Sequence, residues 1–206
     1  LLIGDSLSSD CWGWGQGLPR YFKENVTFVN YAMAGVSTKV FLQSAEKENM
    51  LLIKPDYVLI QYAWIDASAN EDRFTTLEEF GDNLRTIVDM VRGFGGVPIL
   101  VTKHAALTWD ANGELIPSDG DRNPITREIA DELDAPLIDL YQSSTDLLTE
   151  LGESGSEFMR FTFFPDDVVH LSPTGAVYVA RLVASDFPGN LSLYVTGLSD
   201  PLPEPE

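Results

Sequence analysis

The stretch Leu1-Leu2-Ile3-Gly4-Asp5-Ser6-Leu7-Ser8 joins a short apolar run to a glycine, a carboxylate and a hydroxyl. The apolar run predicts a buried strand, and Gly4-Asp5-Ser6 predicts a turn that carries the Ser6 hydroxyl just beyond the strand's carboxyl end. A serine there is a candidate nucleophile when a histidine accepts its proton and a carboxylate orients that histidine. Asp167 and His170, near the other end of the chain, are candidates for the two partners.

The search for a proton acceptor is short because the chain has two histidines, His104 and His170. Asp167 precedes His170 by three residues, so one tight turn presents both side chains on the same side. This spacing is common by itself, but combined with Ser6 after a strand it predicts a Ser6–His170–Asp167 unit. The alternatives are a serine that caps the next helix and a histidine bonded to backbone.

The length and composition predict one folded domain. The 206 residues allow an α/β domain with a full core over residues 1–198, followed by a Pro/Glu-rich tail or linker at 199–206. The numbering begins inside the first predicted strand. We therefore expect a preceding segment, such as a removed signal peptide, and a secreted or extracellular protein.

The charge and the cysteine content exclude several function classes. A net charge of −19 argues against nucleic acid as a partner, because phosphate binding needs clustered Lys and Arg. No run approaches the roughly 18 apolar residues needed to cross a bilayer. The single cysteine, Cys11, excludes an intrachain disulfide. The sequence implies no metal and no organic cofactor, and it leaves the oligomeric state open.

Apolar runs and helical patterns alternate along the chain. Further buried strands are predicted at 26–29, 57–60, 98–101 and 136–138. Amphipathic or capped helices are predicted at 76–94, at 125–133 and after 172–173. This alternation predicts an α/β fold with a mostly parallel sheet covered by helices on both faces. Ligands of such sheets bind beyond the carboxyl ends of the strands, where Ser6 is expected.

Four motifs resemble the SGNH (GDSL-type) hydrolase superfamily, and their layout is similar to that of the rhamnogalacturonan acetylesterase group. Gly4-Asp5-Ser6 resembles the first block of this family. The other matching segments are Trp12-Gly13-Trp14-Gly15, Asn30-Tyr31-Ala32-Met33-Ala34-Gly35-Val36-Ser37 and Asp167-Val168-Val169-His170-Leu171-Ser172-Pro173-Thr174-Gly175. The resemblance covers nearly the whole chain and implies a flavodoxin-like, three-layer α/β/α fold.

The resemblance also implies residue roles and an activity. Ser6 is then the nucleophile, His170 the general base and later the general acid, and Asp167 the group that orients His170. The implied oxyanion donors are the amides of Ser6 and Gly35 and an asparagine of the third block. The implied reaction is removal of small acyl groups, acetyl in particular, from a polysaccharide through an acyl-Ser6 intermediate. A lipolytic or aryl esterase is the alternative within the same superfamily.

The third block departs from the family's G-x-N-D pattern. The aligned residues are Ala63-Trp64-Ile65-Asp66, so Ile65 replaces the asparagine and cannot donate a hydrogen bond. Loss of one oxyanion donor costs on the order of 10²–10³ in rate. Three interpretations stay open. Asn70, Gln61 or the Trp64 indole supplies the donor, the enzyme is slower or acts on activated esters, or the chain is a catalytically weak carbohydrate-binding relative.

Contacts with the substrate are expected from a few further residues. Trp64 is predicted to line the pocket because it lies in the third block. Asp5 and His104 are also expected to contact substrate, His104 because it follows the strand at 98–101. Lys39 and Arg73 are the cations expected near the site, where they would matter for an acidic polysaccharide.

Overall fold

A computed structural model of the chain describes residues 1–164 and 166–204, and its centre is a parallel sheet of four strands. The strands follow one another in the order of the chain, and every neighbouring pair is parallel. They are β1 (Leu2–Gly4), β2 (Tyr57–Gln61), β3 (Val97–Val101) and β4 (Leu137–Ile138). The predicted α/β class is confirmed.

Within the described residues, six α-helices surround the sheet. They are α1 (Thr38–Phe41), α2 (Ala45–Ile53), α3 (Leu77–Gly93), α4 (Arg122–Glu132), α5 (Leu140–Ser156) and α6 (Pro173–Ser185). The predicted helices at 76–94 and after 172–173 correspond to α3 and α6. The helix predicted from residue 125 begins three residues earlier, at Arg122, which places Pro124 in a first turn whose amides need no helical partner.

Local capping explains where α3 and α6 begin. Thr76 Oγ1 accepts a hydrogen bond from the Glu79 amide at 3.1 Å, and the Glu79 carboxylate accepts one from the Thr76 amide at 2.8 Å. The Ser172 hydroxyl accepts a hydrogen bond from the Gly175 amide at 2.9 Å, and Pro173 takes the first helical position. These bonds satisfy amides that lack partners inside the helix, so each helix has a defined start.

Alternate residues of the strands face two separate cores, which makes the fold three-layered. On β2, Leu59 packs into the core formed with α5, α6 and the 3₁₀ segment Trp14–Tyr21. Val58 and Ile60 pack into the opposite core with residues of α1, α2, α3 and α4. A strand that is buried on both faces is expected to be continuously apolar, as β2 is from Tyr57 to Ile60. The predicted α/β/α layering is therefore confirmed.

The segment predicted as a strand at 26–29 is not a regular strand. It runs parallel to β1, with the Leu2 amide donating to the Val29 carbonyl at 2.9 Å and the Tyr31 amide donating to the Leu2 carbonyl at 2.8 Å. Only one bridge forms, between Leu2 and Asn30, because the segment lies at the edge of the sheet and its partner β1 is three residues long. If this segment is counted as the second strand along the chain, the strands lie in the spatial order 2-1-3-4-5, which is the flavodoxin-like order.

The Asp5 carboxylate joins the loops that follow β1 and β2. One oxygen accepts the Leu7 amide at 3.0 Å, and the other accepts the amides of Trp64 at 3.0 Å and Ile65 at 3.4 Å. The pKa of the Asp5 carboxyl is raised from 3.8 to about 6, mainly by burial and also by the nearby Asp66, whereas the amide hydrogen bonds oppose the shift. The first and third blocks are therefore held together at the carboxyl end of the sheet.

Residues 199–204, predicted as a tail or linker, lie against α6. The Arg181 guanidinium donates to the carbonyl oxygens of Leu198 and Asp200, and the Tyr178 hydroxyl donates to the Pro203 carbonyl at 3.2 Å. The last two residues of that predicted segment, 205 and 206, lie outside the described residues. Within residues 1–164 and 166–204, no helix has the length and the apolar character that a membrane crossing requires.

We expect Gly17→Ala to lower the free energy of unfolding by about 1–3 kcal/mol. A Cβ at Gly17 would lie 2.7 Å from the Ala176 carbonyl oxygen and 2.8 Å from the Val177 Cα, backbone atoms of α6 that cannot rotate away. Urea denaturation measures the effect. Gly93→Ala is the control, because nothing lies within 4 Å of its new Cβ. Equal denaturation midpoints for the two variants would contradict the predicted packing.

We expect the stability difference between wild type and Asp5→Asn to depend on pH. The unfolded chain releases the Asp5 proton near pH 3.8 and the folded chain near pH 6, so the folded state binds more protons in this window. Relative to Asp5→Asn, the wild type should lose about 2 kcal/mol of unfolding free energy between pH 4 and pH 7. Urea unfolding at both pH values measures the change, and a constant difference would contradict the raised pKa.

Candidate active site

Ser6 lies in a 3₁₀ turn, Ser6–Ser8, that begins directly after β1. The Asp5 carboxylate caps this turn through the Leu7 amide. Gly4 lets the turn pack closely against β2, because a Cβ there would lie 2.3 Å from the Gln61 carbonyl oxygen and 2.2 Å from the Ser8 Oγ. The glycine, the aspartate and the serine of the opening motif thus have separate structural tasks, and together they fix the position of the Ser6 hydroxyl.

The structure brings Ser6, His170 and Asp167 together. His170 Nε2 lies 2.8 Å from Ser6 Oγ, and His170 Nδ1 lies 2.6 Å from Asp167 Oδ2. The other oxygen of Asp167 accepts the amides of Val169 at 3.0 Å and His170 at 2.9 Å, which is the tight turn that the three-residue spacing predicts. These distances are within the range required for a nucleophile, a base and an orienting carboxylate.

The charge state of Asp167 follows from its surroundings. Burial raises the pKa of this carboxyl, but the hydrogen bonds from the His170 and Val169 amides and from the His170 ring outweigh it, so the net pKa lies below its usual value. An ionised Asp167 accepts a hydrogen bond from Nδ1–H, and in the neutral ring that carries its proton on Nδ1 the other nitrogen, Nε2, accepts one from the Ser6 hydroxyl. This is the tautomer needed for activation of Ser6.

The two amides expected as oxyanion donors have no other acceptor. Neither the Ser6 amide nor the Gly35 amide donates a hydrogen bond to any residue of the described part of the chain. Gly35 has a φ of 80°, a left-handed conformation that favours glycine. The Met33 amide donates to the Gly4 carbonyl at 3.1 Å, so the loop that carries Gly35 is attached next to the Ser6 turn.

The third-block loop is anchored by its backbone and by Asp66. Its Trp64 and Ile65 amides bind Asp5. The buried Asp66 carboxylate accepts the Thr38 hydroxyl at 2.5 Å and the Thr75 hydroxyl at 3.0 Å. The loop is thus held in place although Ile65 brings no side-chain donor.

The candidate replacements for the missing donor differ in accessibility. Gln61 is buried, and its amide atoms have no hydrogen-bond partner in the described structure. Asn70 is exposed, and its side-chain oxygen accepts the Asp72 amide at 2.9 Å. Trp64, which is predicted to line the pocket, leaves 41% of its surface exposed.

Of the two expected cations, Arg73 is the one placed against a candidate oxyanion donor. The atoms nearest to a Cβ built on Gly35 all belong to the Arg73 guanidinium, at 2.9–3.3 Å. Lys39 Nζ instead donates to the Glu71 carbonyl at 3.1 Å. Sequence reasoning identified Arg73 as a nearby cation but contained no signal for its contact with Gly35, which depends on how the loops fold.

Asp5 and His104, the other two residues expected to contact substrate, are both buried. Asp5 has no exposed surface, and its oxygens bind backbone amides. His104 Nδ1 lies 2.8 Å from the Ala105 carbonyl, and its Nε2 is buried without a partner among the described residues. The pKa of His104 is lowered to about 4, mainly by burial and also by the charge of Lys103, while the hydrogen bond to the Ala105 carbonyl opposes the shift, so the ring is neutral at pH 7.

Sequence reasoning missed an aromatic cluster beside His170, formed by Trp12, Phe161, Phe163 and Phe164. The Trp12 ring lies 5.6 Å from the His170 ring at an angle of 67°. It also contacts Phe161 at 6.1 Å and Phe164 at 6.5 Å between ring centroids. The available signal was the density of phenylalanine at 161–164, just before Asp167.

A cavity of about 760 Å³ lies elsewhere in the molecule. It is lined by the first residues of β2 and β3, Tyr57 and Val97, and by Leu1, Phe22 and Phe28 among others. These residues are at the amino ends of the strands, whereas Ser6 follows the carboxyl end of β1. The cavity therefore does not belong to the candidate active site.

Solved structures share the fold. The protein YXIM of Bacillus subtilis is similar with a TM-score of 0.79 and 26% identity, and the match covers 90% of this chain and 54% of that chain. This chain therefore spans about half of that protein's length. An acetylxylan esterase from Geobacillus stearothermophilus is similar with a TM-score of 0.69 and 17% identity, over 92% of this chain and 94% of that one.

Curated relatives and a family model extend over most of the sequence. The rhamnogalacturonan acetylesterase RhgT of Bacillus subtilis is 30% identical over 203 residues, covering 89% of this chain and 86% of that protein. The probable rhamnogalacturonan acetylesterase YesY of the same organism is also 30% identical and covers 89% of each. The model of the GDSL-like lipase/acylhydrolase family matches residues 2–177. The chain belongs to the GDSL-like lipase/acylhydrolase family.

Proposed function

We propose that the chain is a serine esterase that removes small acyl groups, acetyl foremost, from a polysaccharide through an acyl-Ser6 intermediate. The observation that carries the proposal is a pair of contacts made by the His170 ring. Its Nδ1 lies 2.6 Å from Asp167 Oδ2, and its Nε2 lies 2.8 Å from Ser6 Oγ. A histidine that is oriented by a carboxylate in this way activates a serine hydroxyl, which is otherwise a weak nucleophile.

The first half of the reaction transfers the acyl group to Ser6. Ser6 Oγ attacks the ester carbonyl carbon while His170 Nε2 takes the hydroxyl proton. Asp167 keeps the ring oriented and stabilises the positive charge that His170 then carries. His170 next gives the proton to the alkoxy oxygen, the bond from this oxygen to the carbonyl carbon breaks, and the alcohol leaves.

The charge that develops on the carbonyl oxygen needs fixed donors. The amides of Ser6 and Gly35 are the proposed donors, and their lack of other acceptors supports this role. Ile65 contributes none, so the proposed pocket has one donor fewer than the family pattern implies. Arg73, packed against Gly35, is the cation nearest to one of the proposed donors.

The second half of the reaction returns the enzyme to its starting state. His170 Nε2 takes a proton from water, whose oxygen attacks the carbonyl carbon of the acyl-Ser6 ester. Collapse of the tetrahedral intermediate breaks the bond to Ser6 Oγ, which regains its proton from His170. The carboxylic acid leaves, and acetate is the product when the acyl group is acetyl.

The names of the relatives support the polysaccharide. Two proteins that are 30% identical over most of the chain are named rhamnogalacturonan acetylesterase and probable rhamnogalacturonan acetylesterase. A net charge of −19 repels acidic polymers in general, and Arg73 provides a local positive charge beside the proposed oxyanion site. A secreted or extracellular location suits a polymeric substrate and is part of this proposal.

Two alternatives have distinct signatures. A lipolytic or aryl esterase would prefer longer acyl chains or aryl acetates to acetylated polysaccharide. A catalytically weak carbohydrate-binding relative, which the loss of the third-block asparagine at Ile65 favours, would bind a polysaccharide without cleaving esters. Acyl-chain profiles on 4-nitrophenyl esters and acetate release from polysaccharides separate these activities.

We expect Ser6→Ala to lower kcat/KM on 4-nitrophenyl acetate by at least about 10³-fold, because it removes the nucleophile. The Ser6 hydroxyl bonds to His170, so the folded structure should persist and circular dichroism should match wild type. Ser185→Ala, an exposed serine near the end of α6, is the matched control and should keep full activity. Residual activity of Ser6→Ala close to wild type would refute the acyl-Ser6 mechanism.

We expect Ile65→Asn to raise kcat on 4-nitrophenyl acetate by about tenfold or more, because it restores a side-chain donor to the oxyanion pocket. The effect should appear in kcat rather than in KM, since the donor acts on the charge that develops in the transition state. Steady-state kinetics measures both parameters.

Ile65→Leu is the control for this change, because it keeps the size and apolar character of the side chain. If Ile65→Asn and Ile65→Leu have the same kcat, the missing-donor interpretation fails and another group already serves the oxyanion. Arg73→Ala then identifies whether the guanidinium beside Gly35 is that group.

A further inference from the structure

The aromatic cluster of Trp12, Phe161, Phe163 and Phe164 forms a continuous surface. Phe163 contacts Phe164 at 5.1 Å and Phe161 at 6.2 Å between ring centroids. Phe161 contacts Phe164 at 6.0 Å, and Trp12 connects the set to the His170 ring at 5.6 Å. The surface therefore begins at the proposed catalytic histidine and extends outward over four rings.

Much of this surface faces solvent. Phe163 is 77% exposed and Phe164 is 48% exposed, so neither ring is part of a core. Adjacent exposed apolar side chains mark a binding groove or an interaction site rather than ordinary surface. Because the exposure of these rings to water costs free energy, a ligand that covers them would be stabilised by their burial.

The backbone holds the cluster in a fixed relation to His170. The Phe161 amide donates to the His170 carbonyl at 3.1 Å, and the Leu171 amide donates to the Trp12 carbonyl at 2.9 Å. The segments that bear Phe161 and Trp12 are therefore bonded to the backbone of His170 and of the next residue, Leu171. A ligand seated on the cluster would keep a defined distance from His170 Nε2.

The reaction places the alcohol on this side of the site. His170 must give its proton to the alkoxy oxygen of the leaving group, so that oxygen and the sugar that bears it lie next to the His170 ring. The acyl group lies on the other side of the scissile bond. The rings adjoining His170 consequently face the leaving group and not the acyl chain.

We propose that the Trp12–Phe161–Phe163–Phe164 cluster is a carbohydrate subsite that binds pyranose rings of the leaving alcohol. The inference rests on the proposed esterase function. Sugar rings have apolar C–H faces, and aromatic rings with negative π faces bind such surfaces over a broad area with few polar contacts. An open, exposed cluster suits a polymer that runs across the surface, whereas a long acyl chain needs an enclosed apolar pocket.

The test replaces Phe163, the most exposed ring of the cluster. Its readout is the ratio of kcat/KM for an acetylated pectic polysaccharide to kcat/KM for glycerol triacetate, which has no sugar ring. Phe163→Ala should lower this ratio about tenfold, mainly by raising KM for the polysaccharide. Phe163→Trp keeps a ring and should restore the wild-type ratio. Leu52→Ala removes a side chain that is 79% exposed on α2 and should leave the ratio unchanged.

Three results would overturn the proposal. The first is an unchanged ratio in Phe163→Ala. The second is a loss confined to esters of long acyl chains, which would assign the cluster to the acyl group. The third is a wild-type dimer, seen by sedimentation, that Phe163→Ala makes monomeric without changing the ratio, which would assign the cluster to self-association.

A binding measurement separates this proposal from the esterase function itself. Calorimetric titration of the acetylated polysaccharide into Ser6→Ala, and into Ser6→Ala with Phe163→Ala, measures affinity without turnover. The second protein should bind about tenfold more weakly. If wild type hydrolyses no ester while this difference remains, the esterase proposal fails and the subsite proposal stands. Equal affinities, or no binding by either protein, would overturn the subsite.

Discussion

The buried carboxylate of Asp5 is the interaction on which the arrangement of the site depends. It accepts the Leu7 amide in its own turn and the Trp64 and Ile65 amides in the loop after β2, so two loops share one anion. Burial disfavours the charged form and raises the pKa to about 6, which means that the fold tolerates an electrostatic cost at neutral pH. The hydrogen bond that this carboxylate accepts from the Leu7 amide fixes the turn that carries Ser6.

Asp66, in the loop after β2, likewise accepts hydrogen bonds from several segments of the chain. Its carboxylate receives the Thr38 and Thr75 hydroxyls, and its carbonyl receives the Arg122 guanidinium at 2.7 Å. Asp5 and Asp66 therefore connect the loops after β1 and β2 with the start of α1. With this backbone scaffold in place, the third block can carry Ile65 where the family pattern has asparagine, because the loop's position does not depend on that side chain.

The sequence predicted the elements whose signals are local. The apolar opening run, the capping residues Thr76 and Ser172, and the periodicity of α3 each act within a few residues, and the structure agrees with them. The regular strand predicted at 26–29 does not form, because the segment pairs with β1, which is only three residues long. Helices α1, α2 and α5 were not predicted, and α5 contains Gly152 with a φ of 70°, which breaks the periodic pattern.

The site divides along the same line. The turn from Asp167 to His170 is local, and its meeting with Ser6 was expected from the chemistry that a serine nucleophile requires. The burial of Asp5 and His104, the contact of Arg73 with Gly35 and the cluster beside His170 all depend on loops that meet only in the folded chain. Residue type and spacing therefore predicted the contacts among Ser6, His170 and Asp167, but they contained no signal for these contacts between loops.

Ser6 and His170 are 164 residues apart in sequence, yet their side chains share one hydrogen bond. His170 is synthesised only after β4, α4 and α5, all of which follow Ser6 in the sequence. The hydrogen bond between Ser6 and His170 consequently needs the segment around His170 to dock against the segment around Trp12, where the Leu171 amide donates to the Trp12 carbonyl at 2.9 Å. The pairing of Ser6 with His170 is thus a property of the tertiary fold that no isolated segment of the chain can have.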